Sequence, residues 1–194
     1  MSIRLACQAD LPQILAIYGP YVETTAYSFE YTVPTLEAFT QRFLKITEQF
    51  AWLVWEEAGE ILGFAYGSAP FERAAYRWSG EVSIYLRPDA QHRGIGRQLY
   101  KALEWIMEKQ GYRLVYAIIT AANEGSLAFH KAMGYQFTAR FPGCGFKFGS
   151  WQDVIWMEKQ LRFDENPMNF PIPAHAIVKS DRNLANILDK MSLS

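Results

Sequence analysis

Gln91-His92-Arg93-Gly94-Ile95-Gly96 lies between an apolar run ending at Leu86 and a segment of helical periodicity that begins near Arg97. A strand that ends in a tight, glycine-rich turn at a helix start gathers several backbone N–H groups around one point. Those donors have no acceptor inside the helix, and the helix dipole adds positive potential at the same place. A pyrophosphate fits such a nest, so the stretch predicts a phosphorylated cofactor held where strand becomes helix. It is not a P-loop, because no Gly-Lys-Ser/Thr closes it. A dinucleotide fingerprint fits poorly: Gln91 stands where the first glycine is needed, and no acidic residue ends a following strand at the usual distance.

Outward from the turn, Glu81 to Leu86 reads as the strand that feeds it. Residues 97 to 110 read as the helix that leaves it, with Leu99, Leu103, Trp105 and Ile106 apolar and Gly111 as terminator. Leu114 to Thr120 predicts a buried strand, and Asn123 to Met133 a second helix stopped by Gly134. Tyr135 to Ala139 and Val154 to Lys159 predict late strands around a glycine-rich stretch, Pro142 to Gly149. Upstream, Ile3 to Cys7 is strand-like, and Asp10 is placed to cap a helix carrying Leu11, Ile14, Leu15 and Tyr18 on one side. Pro20 to Pro34 breaks that periodicity and predicts an ordered loop rich in aromatics. Thr35 then caps a helix towards Gln49, with Leu36, Phe39, Phe43 and Ile46 apolar. Ala51–Trp55 and Ile61–Tyr66 predict a hairpin turning at Glu57-Ala58-Gly59-Glu60. This mixture of meander and strand–helix–strand units predicts an α/β fold with a mixed sheet.

The 194 residues suit one domain, 1–162, followed by an extension, 163–194. In the extension, Asn166-Pro167, Pro171 and Pro173 predict an irregular linker. Beyond it, Ser180 or Asp181 could cap a short helix bearing Leu184, Ile187, Leu188 and Met191. With 19 basic and 20 acidic residues the charges cancel to −1, which gives no electrostatic reason for a nucleic acid or anionic membrane partner. Cys7 and Cys144 are too few for a disulfide framework and lack metal-ligand spacing; reduced, structural thiols and no metal are expected. The N-terminus shows no basic region followed by an apolar one, and no apolar run reaches membrane-span length, so a soluble cytoplasmic protein is expected.

Gln91-x-x-Gly94-x-Gly96 resembles motif A of the GCN5-related N-acetyltransferases, Arg/Gln-x-x-Gly-x-Gly/Ala, at every defining position. Asn123-Glu124-Gly125-Ser126-Leu127-Ala128-Phe129-His130, continuing to Gly134-Tyr135, resembles that family's second cofactor-proximal helix. The likeness spans roughly residues 2 to 162. It is nearer to the phosphinothricin and methionine-sulfoximine N-acetyltransferase branch through Thr24-Thr25, Phe29-Glu30, Pro70-Phe71, Ala75-Tyr76-Arg77, Glu81-Val82-Ser83-Ile84-Tyr85, and Lys147-Phe148-Gly149-Ser150-Trp151-x-Asp153. The resemblance implies a mixed, mostly antiparallel central sheet with flanking helices, acetyl-CoA as co-substrate, and a homodimer. It also implies that Tyr85, Leu86, Gln91, His92, Arg93, Gly94, Ile95, Gly96, Arg97, Asn123 and Ser126 serve the cofactor.

For catalysis the resemblance points to Glu81 and His130. An amine attacks a thioester only with its lone pair free, so a proton acceptor is needed, and Glu81 would act directly or through water. His130 would donate a proton to the departing thiolate if charged, or accept one if neutral. Arg73 and Arg77 suit an acceptor's carboxylate, with Tyr27, Phe29 and Phe71 as apolar walls. The expected activity is acetyl transfer to a small amino-acid-like amine. Two readings compete with it: an acetyltransferase for another small amine or a protein N-terminus, and a non-catalytic acyl-CoA-binding module.

Overall fold

One sheet of seven strands runs through the computed structural model, which describes residues 2–163, 169–179 and Leu184. Its strands are β1 (Ser2–Leu5), β2 (Trp52–Glu57), β3 (Glu60–Ser68), β4 (Ser79–Leu86), β5 (Leu114–Thr120), β6 (Gln136–Lys147) and β7 (Ser150–Gln160), in the spatial order β1-β2-β3-β4-β5-β7-β6. Every neighbouring pair is antiparallel except β4 with β5. The mixed, mostly antiparallel sheet expected from the resemblance is therefore present.

Helices cover the two faces unequally. On one face α1 (Leu11–Thr24) and α2 (Leu36–Thr47) bury Leu11, Ile14, Phe39 and Phe43 against Trp52, Val54 and Phe64. On the other, α3 (Ile95–Gln110) lies over β2, β3 and β4, and α4 (Glu124–Ala132) over β5. Here Leu99, Leu103 and Ile106 pack with Val115, Ala117 and Ile119. Successive strand side chains point to opposite faces. Trp52 and Val54 thus join the first core, while Leu53 and Trp55 join the second. No helix among the described residues is long and apolar enough to cross a membrane.

Three local expectations are corrected. Helix α1 does not stop before Pro20 but runs through it to Thr24. The ring removes one helical hydrogen bond, yet Ile17, Tyr18 and Val22 on either side stay buried, and that burial outweighs the local penalty. Asp10 makes no cap for α1; its carboxylate pairs with Arg4 (2.7 Å) and accepts the Cys7 N–H (2.8 Å). The stretch Pro142 to Gly149 is not a loop between strands, since it holds an irregular part of β6 and the β6–β7 turn. Asp153 stabilises the irregular part by accepting the Gly143 N–H at 2.8 Å while paired with Arg140. Thr35 does cap α2, accepting the Ala38 N–H, and Gly111 closes α3 at φ 106°.

The extension docks on its own domain. Ile172 N–H donates to Gln110 C=O (2.9 Å), and Ala174 N–H donates to Gln49 C=O (2.9 Å). Ala174, Val178 and Leu184 are buried in the α3-side core. Of the expected terminal helix, Ser180, Asp181, Ile187, Leu188 and Met191 lie outside the described residues.

Candidate active site

The sheet opens in its middle. Strands β4 and β5 pair only over Ser79↔Leu114, Gly80↔Val115 and Glu81↔Tyr116, although β4 continues to Leu86 and β5 to Thr120. Glu81 is therefore the last paired residue and stands at the mouth of the split. Arg87 N–H donates to Leu62 C=O, and the period of two makes Tyr85 and Ser83 also face β3. The backbone groups of Ile84 and Leu86 consequently point into the split. Tyr21 donates its hydroxyl to Leu86 C=O at 2.6 Å, which leaves the neighbouring N–H groups as the outward donors.

A cavity of about 650 Å³ fills the split at its wide end, lined by Leu86, Gln91, His92, Gly94, Gly96, Arg97, Asn123 and Ser126, all expected for the cofactor. Gly94 stands before α3 at φ 80°, a left-handed backbone that L side chains rarely adopt, and His92 shares that sign at φ 60°. This geometry turns the first N–H groups of α3 towards the cavity. At Gly96 a Cβ would press on Ile84 Cδ1 at 3.3 Å and narrow the cradle. Unpaired donors, positive dipole and space for a chain along β4 fit a pyrophosphate with a long extended arm.

Some expected cofactor residues fall elsewhere. Arg93 turns away from the cavity, with Nη2 bonded to both Glu57 oxygens at 3.0 and 2.7 Å. Ile95 is buried in the core, and Tyr85 lies beyond this cavity, edge-on against Tyr18 and Tyr21 and on the wall of a narrower recess of the same split. Asn123 caps α4 by accepting the Ser126 N–H (3.1 Å), so its structural role and its place on the cavity wall coexist. Tyr21, Gly125 and Phe129 also line the cavity without having been expected. Tyr21 fell within the stretch read as loop, so its helical spacing from Tyr18 carried no signal.

A narrower recess of about 70 Å³ continues the split towards the β4–β5 ladder, between Val82, Ser83, Tyr100, Ile118 and His130. Next to it, the Glu81 carboxylate has neither ion-pair nor hydrogen-bond partner among the described residues. Burial alone pushes it up to about 7. A carboxylate so placed is ionised in part at neutral pH and carries an unusually strong tendency to take a proton.

His130 is almost completely enclosed, and burial pushes its imidazole down to about 4. Both ring nitrogens are engaged. Nδ1 lies 2.7 Å from Ser126 C=O, which can only accept, so Nδ1 carries the hydrogen. Nε2 then accepts the Tyr100 hydroxyl at 2.8 Å. Of the two roles left open by the sequence, that of a charged donor conflicts with this neutral ring.

The acceptor side of the split is aromatic. Tyr116 and Trp156 lie on the sheet face without helices beyond β4, and Phe71 packs on both at 6.1 and 5.8 Å between centroids. The 25–34 segment forms an opposite wall and is pinned by several contacts. Phe29 lies over Gly145, where any Cβ would overlap its ring. Tyr31 donates to Phe146 C=O (2.5 Å) and Thr120 to Ala26 C=O (2.6 Å). The buried Lys147 ammonium donates to Val22 C=O (2.7 Å) and Ser28 C=O (2.6 Å), which gives the branch's signature lysine a definite job. Tyr27 on this segment lines both the cavity and the recess. Arg73 is exposed, with no ion-pair partner among the described residues, whereas Arg77 lies over the Phe170 ring at 5.0 Å.

A split parallel pair, a glycine cradle at the following helix and a partnerless carboxylate at the split's mouth together define an acyl-CoA-dependent acyltransferase. The Acetyltransferase (GNAT) domain family matches residues 3–156, and the chain belongs to it. It is 37% identical over 164 residues to the L-methionine sulfoximine/L-methionine sulfone acetyltransferase of Pseudomonas paraeruginosa, covering 82% of this chain and 94% of that one. It is 30% identical over 167 residues to the phosphinothricin N-acetyltransferase of Streptomyces viridochromogenes, covering 86% and 91%. A GNAT superfamily phosphinothricin acetyltransferase from Sinorhizobium meliloti, solved in complex with acetyl-CoA, is 34% identical, with a TM-score of 0.80 and coverage of 88% and 92%.

Proposed function

We propose that this chain moves an acetyl group from acetyl-CoA directly to the amine of a small, carboxylate-bearing amino-acid-like molecule such as phosphinothricin or methionine sulfoximine or sulfone. The observation that carries the reading is Glu81, a carboxylate without partner, raised towards neutrality, at the point where the β4–β5 ladder ends. Bound acetyl-CoA supplies the thioester carbon that the amine attacks. Glu81 takes the proton from the acceptor ammonium, directly or through water, freeing the nitrogen lone pair. The Ile84 and Leu86 N–H groups face the place where negative charge develops on the carbonyl oxygen. His130 stays neutral and holds the Tyr100 hydroxyl at the recess wall. Arg73 receives the acceptor carboxylate, and Phe71 and Tyr27 bound it. Neither Cys7 nor Cys144 enters this route, because direct attack needs no acetyl-enzyme.

The relatives named above support the acceptor class, since both are named for such amino-acid analogues. The enzyme works in the cytoplasm as a homodimer in this reading. Phe146, Phe148 and Trp151 around the β6–β7 turn are 46%, 60% and 70% exposed, a local apolar patch for a single chain to leave in water. Light scattering checks the dimer, and a monomer at assay concentration rejects it. The decisive assay follows thiol release with a panel of amines and then weighs the products. Activity on another amine, with none on phosphinothricin or methionine sulfoximine, overturns the acceptor assignment.

A further inference from the structure

The segment between β3 and β4, residues 69–78, carries Phe71, Arg73 and Arg77 and leads into Glu81 within three residues of Trp78. Two ring contacts hold it. One is Phe71 on Tyr116 and Trp156, on the acceptor face. The other comes from the C-terminal extension: Phe170 lies 5.0 Å from the Trp78 ring, Arg77 sits over the same Phe170, and Trp78 Nε1 donates to Asn169 C=O at 3.1 Å. Between the two anchors is a cavity of about 270 Å³ that Phe71, Tyr76, Arg77, Tyr112, Phe170 and Pro171 enclose.

The extension has its own attachment to the domain. Gln49 Nε2 donates to Pro171 C=O (3.1 Å), and Gln110 Nε2 to Ile172 C=O (2.8 Å). These bonds, the two backbone bonds at Ile172 and Ala174, and the burial of Val178 do not involve Phe170's ring. Removing that ring therefore loosens residues 69–78 while the strap itself stays in place.

We propose that Phe170 is a positioning residue for amine acceptance. From the extension, beyond the residues 3–156 that the family model matches, it fixes Arg77 and Trp78 and thereby sets where Arg73 and Glu81 meet the acceptor. The proposal rests on the acetyl-transfer reading. The cofactor cradle lies at the far end of β4, formed by other residues, so only the acceptor should feel the change.

The test uses the full chain, wild type against Phe170→Ala and Phe170→Tyr, with thiol release measured while each substrate is varied. Loss of a tilted ring contact and a cation–π contact predicts a roughly three- to tenfold rise in the acceptor KM for Phe170→Ala. The acetyl-CoA KM and the midpoint of thermal unfolding should stay near wild type, and Phe170→Tyr should restore the acceptor KM. Equal changes in both KM values, or none, overturn the proposal. Should Phe170→Ala fail to fold, Trp78→Phe removes the bond to Asn169 C=O and shrinks the ring contact with Phe170, and the same split between the two KM values decides. Wild-type protein that releases no thiol with any amine sinks the transfer reading itself, a result distinct from an active enzyme indifferent to Phe170.

Discussion

Replacing Glu81 by Gln separates what this residue does for chemistry from what it costs the fold. Burial lifts the carboxyl from an ordinary 4.5 to about 7. At pH 6 roughly one-tenth of such groups are ionised and at pH 8 roughly nine-tenths, so a base of this kind gains about tenfold across that interval. The acceptor amine titrates as well, but identically for wild type and variant, and divides out of their ratio. The ratio of kcat/KM, wild type over Glu81→Gln, should therefore rise about tenfold from pH 6 to pH 8. Stability moves the other way. Between 4.5 and 7 the folded carboxyl holds a proton that the unfolded chain has released, so stability falls as pH rises. Above pH 7 the deficit reaches about 3 kcal/mol, which Glu81→Gln removes. His130 has the opposite slope: its pKa is depressed from 6.5 to about 4, so stability falls as pH drops through that range. In the wild type the two nearly offset each other between 4.5 and 6.5. Denaturant unfolding of both proteins at pH 4.5 and pH 8, with kinetics across the same range, checks all of this. A kcat/KM ratio independent of pH, or a stability gain equal at both pH values, refutes the reasoning.

Three further outcomes follow from the geometry. Lys147→Met leaves the carbonyls of Val22 and Ser28 without their donor; denaturant midpoints should report a loss of about 2–4 kcal/mol. Gly94→Ala meets no atom within 4 Å but must keep a φ of 80°, so roughly 1 kcal/mol of strain should appear as several-fold weaker acetyl-CoA binding by calorimetry. An unchanged Kd would show that the turn's conformation does not matter to the ligand. Nitrogen-resolved NMR should find His130 neutral down to about pH 5 with hydrogen on Nδ1, and Tyr100→Phe should shift its Nε2 signal; a midpoint between 6 and 7 contradicts the enclosed ring.

Much of the architecture was legible because backbone chemistry marks it locally. Gly94, Gly111, Thr35 and the Ala58-Gly59 turn each announce a boundary through conformation or hydrogen bonding within a few residues. Pro20 and the Pro142–Gly149 stretch misled for the converse reason. Their local preference is to interrupt, and only distant partners, the buried neighbours of α1 and Asp153 on β7, keep helix and strand going. In the site, residues on the cradle could be read from motif spacing. The neutral state of His130 could not, because it depends on Tyr100, thirty residues away, and on exclusion of water. Arg93 and Arg77 show a related limit: an arginine's reach is visible in sequence, but the partner that claims it, Glu57 or Phe170, is not.

An open seam through the middle of a sheet has a cost in the cell that outer strands usually bear alone. Beyond Glu81, β4 and β5 present to the gap ladder groups that no strand among the described residues pairs, the Leu86 C=O being held by Tyr21 instead, and such groups are templates for a stray strand from another chain. A ligand lying in that gap is then more than a reagent, because it screens an internal edge. Protein starved of its coenzyme should aggregate sooner on mild heating than the same protein kept saturated.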